Sequence, residues 1–515
     1  MAGNEPVDLL IIGGGINGAG IARDAAGRGL TVVLCEQGDL AGATSSASSK
    51  LIHGGLRYLE TFEFRLVREA LIEREVLLGA APHIIRPLTF VLPHDRGLRP
   101  AWMVRLGLFL YDHLGGRKLL PASYGIDLRS HPAGGPLKET FSKAFCYSDC
   151  WVDDARLVVL NAMAAAESGA EILPRTRCSG ARRMDDHWLA TLEPAGGGVI
   201  RHLRARALVN AAGPWVTEVL DGIAGVQSNR GLRLVKGSHI VVPRLHDGEE
   251  AFLLQNDDRR VIFVMPYEDE FSLIGTTDIP FTGDPASAEI SADEVTYLCD
   301  AVNRYFTAQI SPDQVIWRYA GIRPLYDDMN RNVSAVTRDY VFDVDAGSGA
   351  TFGQGDAPLL SIFGGKITTY RKLAEHALAQ LLPLLGSAAP AWTEGAPLPG
   401  GDLPGADFEA FLTRLRSDYP WLPGPLARRY ARAYGTRTQV LLSGIRSLAE
   451  LGEDFGGGLY EAEADYLVHH EWAMSAEDIL WRRSKLGLHL SSEAEARMET
   501  WLERQENQAR RAVTP

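Results

Sequence analysis

One short stretch of the chain concentrates side chains that could do acid–base and phosphate chemistry. It reads His-Gly-Gly-Leu-Arg-Tyr and supplies His53 as a possible base, Arg57 as a phosphate clamp and Tyr58 as a hydroxyl donor. The segment Ala41–Lys50 just before it is small, polar and rich in serine and threonine, so it can lie flat against a ligand. A flexible surface linker is the alternative, and each of the three side chains taken alone is more often structural. The continuous run favours contact with a bound cofactor.

Basic residues also interrupt apolar, strand-like segments between residues 231 and 340. Lys236 and His239 lie among aliphatic residues, Arg323 follows a Gly-Ile bend, and Arg338 lies in Thr-Arg-Asp-Tyr. A buried charge is costly without a partner, so a bound anion would account for these cations. Arginines paired at the surface are the alternative, and the residues alone leave both open.

The elements that must position these side chains begin with Asp8–Glu36. This segment combines an apolar run, a glycine turn, a helical pattern, a second apolar run and a final acid, which is the dinucleotide-binding fingerprint. Gly13 allows the tight turn, Gly15 lets the backbone approach a pyrophosphate, and Gly18 lets helix and strand pack closely. The helix N-terminus would offer N–H groups to phosphates. Glu36 would accept hydrogen bonds from ribose hydroxyls, which argues against a 2′-phosphate but does not separate FAD from NAD.

Two later turns are predicted to return to the same ligand. Residues 206–213 read as a buried strand that ends in a small-residue turn, with Trp215 just beyond it. A second strand leads into residues 364–366, and a helix is predicted to begin near Thr368 as N-cap. The start of that helix would direct partial positive charge at a flat ring and stabilise the negative charge of a reduced flavin. An ordinary strand-to-helix turn is the alternative.

Composition narrows the class of protein. A chain of 515 residues exceeds one hydrophobic core, so two or three domains are expected. The formal charge of -13 argues against nucleic-acid binding and means that an anionic substrate must meet a local basic cluster. The five cysteines are odd in number and never spaced C-x-x-C, which is typical of reduced cytosolic thiols and predicts no metal site. Because the fingerprint begins at residue 8, we expect no signal peptide, and no apolar run reaches the ~18 residues that span a bilayer.

Two regions outside the fingerprint have a distinct character. Arg96–Lys118 carries an apolar block around Trp102 and Phe109 with basic flanks, which is typical of a helix lying in a membrane interface. A core helix is the alternative. Residues 400–515 follow a Gly- and Pro-rich linker and read as an all-α accessory domain.

Taken together, the motifs resemble one family, the FAD-dependent, quinone-linked glycerol-3-phosphate dehydrogenases of aerobic metabolism. The resemblance runs from residue 8 to nearly the C-terminus. The motifs that carry it are, in chain order, IIGGGINGAGIARDAAGRGL, ATSSASSKLIHGGLRYLE, FEFRLVREALIERE, YSDCWVDDARLV, LVNAAGPWV, KGSHIVVPR, FSLIGTTD, AGIRPL, TRDY, FGGKITTYRKLAEHAL and LGEDFG.

The resemblance implies an α/β flavoprotein of the two-dinucleotide-binding-domain type, in which a Rossmann-like FAD domain joins a mixed β-sheet substrate domain and an all-α C-terminal domain. The implied domains are a discontinuous FAD-binding domain at residues 1–85, 145–225 and 345–390, a substrate-binding domain at 86–144 and 226–344, and a helical domain at 400–515. The residues expected to contact FAD are Gly13, Gly15, Gly18, Glu36, Thr44, Ser45, Ser46, Ser49, Lys50, Leu51, His53, Ala212, Gly213, Trp215, Gly364, Gly365, Lys366 and Thr368.

The implied reaction oxidises sn-glycerol 3-phosphate to dihydroxyacetone phosphate by hydride transfer to flavin N5, and membrane quinone then takes the electrons. Because arginine stays protonated, the base would be a histidine, with His239 first and His53 second. The expected catalytic residues are His239, Arg323 and His53, and the expected substrate contacts are Arg57, Tyr58, Arg323, Arg338 and Lys366.

The resemblance also implies a cytoplasmic homodimer bound peripherally to the inner face of the cell membrane. Three alternatives remain at this point. They are a glycerol-3-phosphate oxidase that uses oxygen, a D-amino-acid-oxidase-like flavoenzyme, and a non-catalytic FAD- or NAD-binding scaffold.

Overall fold

A computed structural model describes residues 5–94, 99–228, 230–258, 260–327, 339–346 and 356–513. Its strands and helices are numbered separately in chain order. The first sheet comprises β1 (Val7–Ile12), β2 (Val32–Cys35), β7 (Glu171–Leu173), β8 (Thr176–Arg183), β9 (Trp188–Pro194), β10 (Arg201–Asn210), β17 (Val341–Asp345) and β18 (Leu359–Phe363).

The first sheet is a parallel core with antiparallel additions. Strands β18, β10, β1, β2 and β7 run parallel in that spatial order, β17 adds antiparallel to β18, and the hairpin β8–β9 pairs with β10. Ile12 lies opposite both Cys35 and Asn210, so the carboxyl ends of three strands meet at one edge. In parallel sheets of this kind, ligands bind at that edge.

The second sheet is mixed. It comprises β3 (Leu51–Ile52), β4 (Ile85–His94), β5 (Tyr124–Asp127), β6 (Lys143–Val152), β11 (Gly231–Pro243), β12 (Ala251–Gln255), β13 (Val261–Tyr267), β14 (Phe271–Gly275), β15 (Ile279–Pro280) and β16 (Trp317–Asp327). Its order is β15-β11-β14-β13-β12-β4-β6-β3, with β16 along β11 and β5 along β6. Strands β12 and β4 are parallel, and the neighbouring pairs are antiparallel.

The helices pack on both sheets and build the C-terminal domain. They are α1 (Ile16–Gly27), α2 (Phe64–Ala80), α3 (Ala101–Leu114), α4 (Asp154–Glu167), α5 (Val216–Glu218), α6 (Ala292–Tyr305), α7 (Tyr370–Leu384), α8 (Phe408–Asp418), α9 (Gly424–Tyr434), α10 (Thr438–Leu441), α11 (Glu461–Glu471) and α12 (Ser492–Val513). Helices α1, α4 and α7 share one core with β1 and β10, in which Ile21, Val158 and Leu378 are fully buried. Within the described residues, no helix is long and apolar enough to cross a bilayer.

The C-terminal domain has its own hydrophobic core, as the change of sequence character predicted. Phe411, Tyr430, Leu467 and Trp501 are buried in it, on helices α8, α9, α11 and α12. One short hairpin, β19 (Asp454–Gly456) with β20 (Leu459–Tyr460), interrupts the otherwise helical domain.

Residues 231–340 read as strand-like in the sequence, but the structure also places helix α6 among the strands. Ser291 caps it through a reciprocal pair of bonds, in which the Glu294 N–H donates to Ser291 Oγ at 3.3 Å and the Ser291 N–H donates to Glu294 Oε2 at 2.9 Å. This Ser-x-x-Glu capping box was visible in the sequence and marks the start of a helix.

The domain boundaries remain a prediction. Strand β3 and most of β6 fall in segments expected to belong to the FAD-binding domain, yet both pair within the second sheet. The chain passes from the first sheet to the second through the serine-rich segment, which connects β2 to β3.

Candidate active site and cofactor cleft

Three distant glycine turns converge on one cleft of about 1130 Å³, which we call the glycine cleft. Gly13, Gly213 and Gly365 all line it. A Cβ atom added to Gly13 would lie 2.6 Å from the Ala211 carbonyl oxygen, and one added to Gly15 would lie 3.1 Å from Ser45 Oγ. Because these positions carry no side chain, the backbone can turn tightly and a long, flat dinucleotide can approach it closely.

The donors and acceptors of the glycine cleft also fit a dinucleotide. The Glu36 carboxylate accepts hydrogen bonds from the N–H groups of Gly14 at 2.7 Å and Gly38 at 2.8 Å, and each oxygen keeps a lone pair for a hydroxyl. Burial raises the pKa of Glu36, while these two bonds act to lower it. Asn17 lines the cleft, and its buried Oδ1 has no hydrogen-bond partner among the described residues. Helix α1 begins at Ile16 beside it.

Most residues expected to contact the cofactor line this cleft. They are Gly13, Gly15, Glu36, Thr44, Ser45, Ser46, Ala212, Gly213, Trp215, Gly364 and Gly365. Four others line an adjoining cavity instead, namely Ser49, Leu51, His53 and Lys366.

Three expected contacts lie outside the lining of both spaces and have other roles. Lys50 is buried, and its Nζ lies 2.8 Å from Asp154 Oδ1, so it anchors the serine-rich segment to α4. Thr368 does not cap a helix, because α7 begins at Tyr370, and its Oγ1 accepts a hydrogen bond from the His53 N–H at 3.2 Å. Gly18 packs beneath the turn, where an added Cβ would lie 1.9 Å from a backbone oxygen.

The adjoining space, which we call the cationic cavity, has a volume of about 580 Å³. It meets the glycine cleft at Thr44, Pro324, Gly364 and Gly365, which line both. The second sheet forms one side, and helix α3 with residues 55–62 forms the other. A molecule in the cavity would therefore lie next to a ring held in the cleft.

Cationic side chains line the cationic cavity, and Arg57, Arg323 and Lys366 are among them. Arg323 forms an ion pair with Asp278 and donates to Thr276 Oγ1 at 3.0 Å. Lys366 Nζ lies 3.7 Å from the centre of the Tyr58 ring, a cation–π contact. Arg57 is exposed, and in the part of the chain that the structure describes it forms no ion pair.

Arg338, the remaining predicted substrate contact, lies outside the described residues.

His53 lines the cationic cavity directly. Burial lowers its pKa to about 4, although the nearby Asp149 carboxylate acts to raise it. The ring is therefore neutral at pH 7 and able to accept a proton.

Asp149 is a residue that sequence reasoning missed. It is 2% exposed, and both its oxygens lie within 2.9 Å of the Tyr111 hydroxyl, while Arg74 Nη1 lies 2.7 Å from one of them. The Gly54 N–H, next to His53, donates to the same hydroxyl at 2.8 Å. The cluster thus ties the His53 loop to helices α2 and α3.

His239, the first choice of base from the sequence, lies behind the cavity wall. Its Nε2 is 2.9 Å from Ser49 Oγ, and its ring stacks on Tyr319 with centres 4.7 Å apart. Burial holds the pKa of His239 well below its usual value, and the charges of Arg323 and Lys50 lower it further. His239 is thus linked to the cavity through Ser49, which lines it.

The other end of the cationic cavity is apolar and opens at an exposed hydrophobic face. Phe62, Phe64, Met103 and Leu106 line it and are also exposed at the surface. Trp102 on the same helix is 66% exposed. Apolar surface of this extent is characteristic of a binding face.

Comparisons with known proteins agree with this geometry. The model for FAD dependent oxidoreductases matches residues 8–371, and that for the C-terminal domain of alpha-glycerophosphate oxidase matches residues 391–505. A D-erythritol 1-phosphate dehydrogenase from Brucella abortus is 55% identical over 98% of this chain and 99% of its own. A glycerol-3-phosphate dehydrogenase from Pseudomonas aeruginosa is 56% identical over 97% of this chain and 95% of its own.

The fold is also found in a solved structure. The glycerol-3-phosphate dehydrogenase from Bacillus halodurans complexed with FAD superposes with a TM-score of 0.74 at 25% identity, covering 97% of this chain and 94% of that one. The fit of the glycine cleft to a dinucleotide and these matches identify FAD as the cofactor. The chain belongs to the family of FAD-dependent glycerol-3-phosphate dehydrogenases.

Proposed function

We propose that the protein oxidises sn-glycerol 3-phosphate at C2 to dihydroxyacetone phosphate and passes the electrons to a membrane quinone. The observation that carries this proposal is the group of cations, Arg57, Arg323 and Lys366, that lines the cationic cavity adjoining the glycine cleft. A phosphate dianion suits guanidinium groups, which can bind two of its oxygens at once. The name of the Pseudomonas relative supports the same substrate.

In this mechanism the FAD, once bound in the glycine cleft, supplies the hydride acceptor. Arg57 and Lys366 bind the phosphate, and C2 would then lie near Gly364 and Gly365, which line both spaces. His53 takes the proton of the C2 hydroxyl, because it lines the cavity and is neutral at pH 7. Ser49 with His239 behind it offers a second route for that proton.

Anaerobic titration of the purified protein with glycerol 3-phosphate, followed at the flavin absorbance, tests the proposal. We expect bleaching by glycerol 3-phosphate and none by amino acids, which separates this activity from that of an amino-acid oxidase. A His53→Gln variant should reduce its flavin much more slowly than the parent does. A His239→Gln variant should show a smaller decrease in that rate. If His239→Gln alone abolishes reduction, the proton leaves through Ser49.

A longer polyol phosphate is a second candidate substrate. The Brucella relative is a D-erythritol 1-phosphate dehydrogenase, and a cavity of about 580 Å³ leaves room for one more carbinol group. Besides the cations, Gln255 and Asp278 are polar residues in the lining of this cavity that could form hydrogen bonds with the hydroxyl of that group. Rates of flavin reduction with the two phosphates at matched concentrations decide between them.

We infer that the apolar face around α3 lies against the cytoplasmic side of the cell membrane. Trp102, Phe109 and Phe62 are more than half exposed there, and the cationic cavity opens among them, so a quinone could enter from the lipid. Arg68 and Lys118 are exposed in the adjoining chain, which favours an anionic leaflet.

Flotation with anionic vesicles tests the membrane proposal. We expect the protein to float with the vesicles, and a Trp102→Ser, Phe109→Ser double variant to remain at the bottom of the gradient. Binding by that variant equal to the parent would overturn the proposal.

Turnover with a quinone analogue should exceed turnover with oxygen, which distinguishes a dehydrogenase from an oxidase. We also propose that the protein is a homodimer. Light scattering should then give twice the mass of one chain.

A further inference from the structure

The C-terminal domain contributes part of the wall of the glycine cleft. Glu477, Trp481 and Arg482 line the cleft, although they lie more than 400 residues after the glycine fingerprint. The Trp481 ring stacks on Trp317 of β16, with ring centres 4.5 Å apart and planes at 22°. Trp317 lines the cleft as well. The cofactor space is therefore closed on one side by a domain that a separate family model describes.

A buried ionic network joins this wall to the loop after β2. Arg482 Nε lies 2.6 Å from Asp39 Oδ2, and Arg483 Nη2 lies 2.8 Å from Asp39 Oδ1. Arg482 Nη2 also lies 2.6 Å from Asp478, as does Arg175 from the first sheet. The side chains of Asp39, Asp478 and Arg483 are 3% exposed or less. Charges so deeply buried are stable only while their partners stay in place.

Asp39 belongs to a loop, residues 37–48, that lines the glycine cleft along most of its length. On one side the loop is held by the first sheet, because the Arg175 N–H donates to the Gly38 carbonyl at 2.7 Å. On the other side Asp39 is held by Arg482 and Arg483 of the C-terminal domain. If the C-terminal segment moved away, Asp39 would lose its cationic partners, and the loop would lose the contacts that fix one wall of the cofactor space.

We propose that Arg482 and Arg483 are positioning residues for the cofactor and that the C-terminal domain controls how long FAD stays bound. The two arginines act through Asp39, which keeps the 37–48 loop against the cleft. FAD then leaves only after residues 477–485 separate from the loop. The proposal concerns FAD alone and holds whichever polyol phosphate is the substrate.

The experiment measures FAD release from the purified holoenzyme. Released FAD is followed by its rise in fluorescence after the holoenzyme is diluted into flavin-free buffer, so that rebinding is negligible. An Arg482→Gln variant should release FAD at least about tenfold faster, as expected when a charge-assisted bond in the barrier to release is lost. Hydrogen exchange in the 37–48 loop should also be faster in this variant than in the parent holoenzyme.

Arg429→Gln is the matched control. Arg429 forms a bidentate pair with Glu463 at 2.6 Å inside the C-terminal domain, and neither residue lines the glycine cleft. This variant should lower the thermal unfolding midpoint and leave the rate of FAD release within about twofold of the parent. If the contacts of Arg482 served stability alone, both variants would release FAD faster in proportion to the fall in their unfolding midpoints.

Two outcomes would overturn the proposal. One is an Arg482→Gln variant that unfolds at a lower temperature and yet releases FAD at the parental rate. The other is equal acceleration by both variants. Should Arg482→Gln fail to accumulate as a folded protein, Asp39→Asn takes its place, since its amide keeps the shape of the acid and one acceptor for the arginines, and the same comparison with Arg429→Gln applies.

Discussion

Replacing Asp149 by asparagine should separate two roles of this buried acid beside His53. Its carboxylate accepts hydrogen bonds from Tyr111 and Arg74, and its charge favours the protonated form of the nearby imidazole. Removing the charge lowers the pKa of His53 below its present value of about 4. If His53 is the base, the acid limb of flavin reduction should therefore move to lower pH.

The cost in stability can be worked out from the same contacts. Removing one partner of a buried ion pair costs about 3–5 kcal/mol. We expect the lower end of that range, because the amide keeps an acceptor and Arg74 still donates to the Ser148 carbonyl at 2.7 Å. Tyr111→Phe is the matched variant, since it removes the hydroxyl and keeps the charge. Its cost should be about 1.5–3 kcal/mol, with no shift of the acid limb to lower pH.

Stopped-flow measurement of flavin reduction from about pH 3 to about 8, with urea unfolding of each variant, checks both parts. The reasoning fails if Asp149→Asn loses stability while its acid limb stays where it was or moves to higher pH. It fails equally if Tyr111→Phe shifts the limb as far as Asp149→Asn, because the shift would then come from the position of the loop and not from charge.

Three further outcomes follow from individual contacts. Arg57→Met should raise KM for glycerol 3-phosphate by about tenfold or more in steady-state assays, because the guanidinium has no carboxylate partner among the described residues and would bind the phosphate. Burial lowers the pKa of His83 to about 3, so the folded state holds it neutral while the unfolded chain protonates near pH 6.5. The free energy of unfolding should therefore fall below pH 6.5 by about 1.4 kcal/mol per pH unit for this group, and urea titrations of a His83→Gln variant should show a smaller slope. Ser291→Ala removes the cap of α6 and should cost about 1 kcal/mol in the same titrations, whereas Ser291→Asp should cost less.

Local patterns in the sequence predicted the elements that hold the cofactor. The fingerprint gave a strand ending at Ile12, a glycine turn and a helix, and β1 and α1 have that arrangement. The strand predicted to lead into residues 364–366 is β18. Asp153 caps α4 by accepting a bond from the Arg156 N–H at 3.2 Å, and an acid just before an apolar run is a local signal of a helix start. Glycine spacing, caps and apolar runs act over a few residues, so a sequence displays them directly.

The polar partners at the site could not be predicted in the same way, because they come from distant parts of the chain. Tyr111 and Asp149 are 38 residues apart, and Arg323 lies 45 residues from Asp278. In the sequence, Arg323 had no visible counter-charge, which left a bound anion and a paired carboxylate both open, and the fold gives it a carboxylate. His239 likewise has the residue type of a base, but the fold places Ser49 between it and the cavity.

Strand β16 fixes the position of the cationic cavity relative to the glycine cleft, because its residues line both. Its residues 319–322 line the glycine cleft, Arg323 lines the cationic cavity, and Pro324 lines both. All eleven residues of the strand pair with β11. Because side chains alternate across a strand, a slip of one residue would turn Arg323 to the opposite face. The position of this cation relative to the wall of the cleft is therefore set by backbone pairing, which is more rigid than a loop and suits a reaction that needs one carbon held against one ring position.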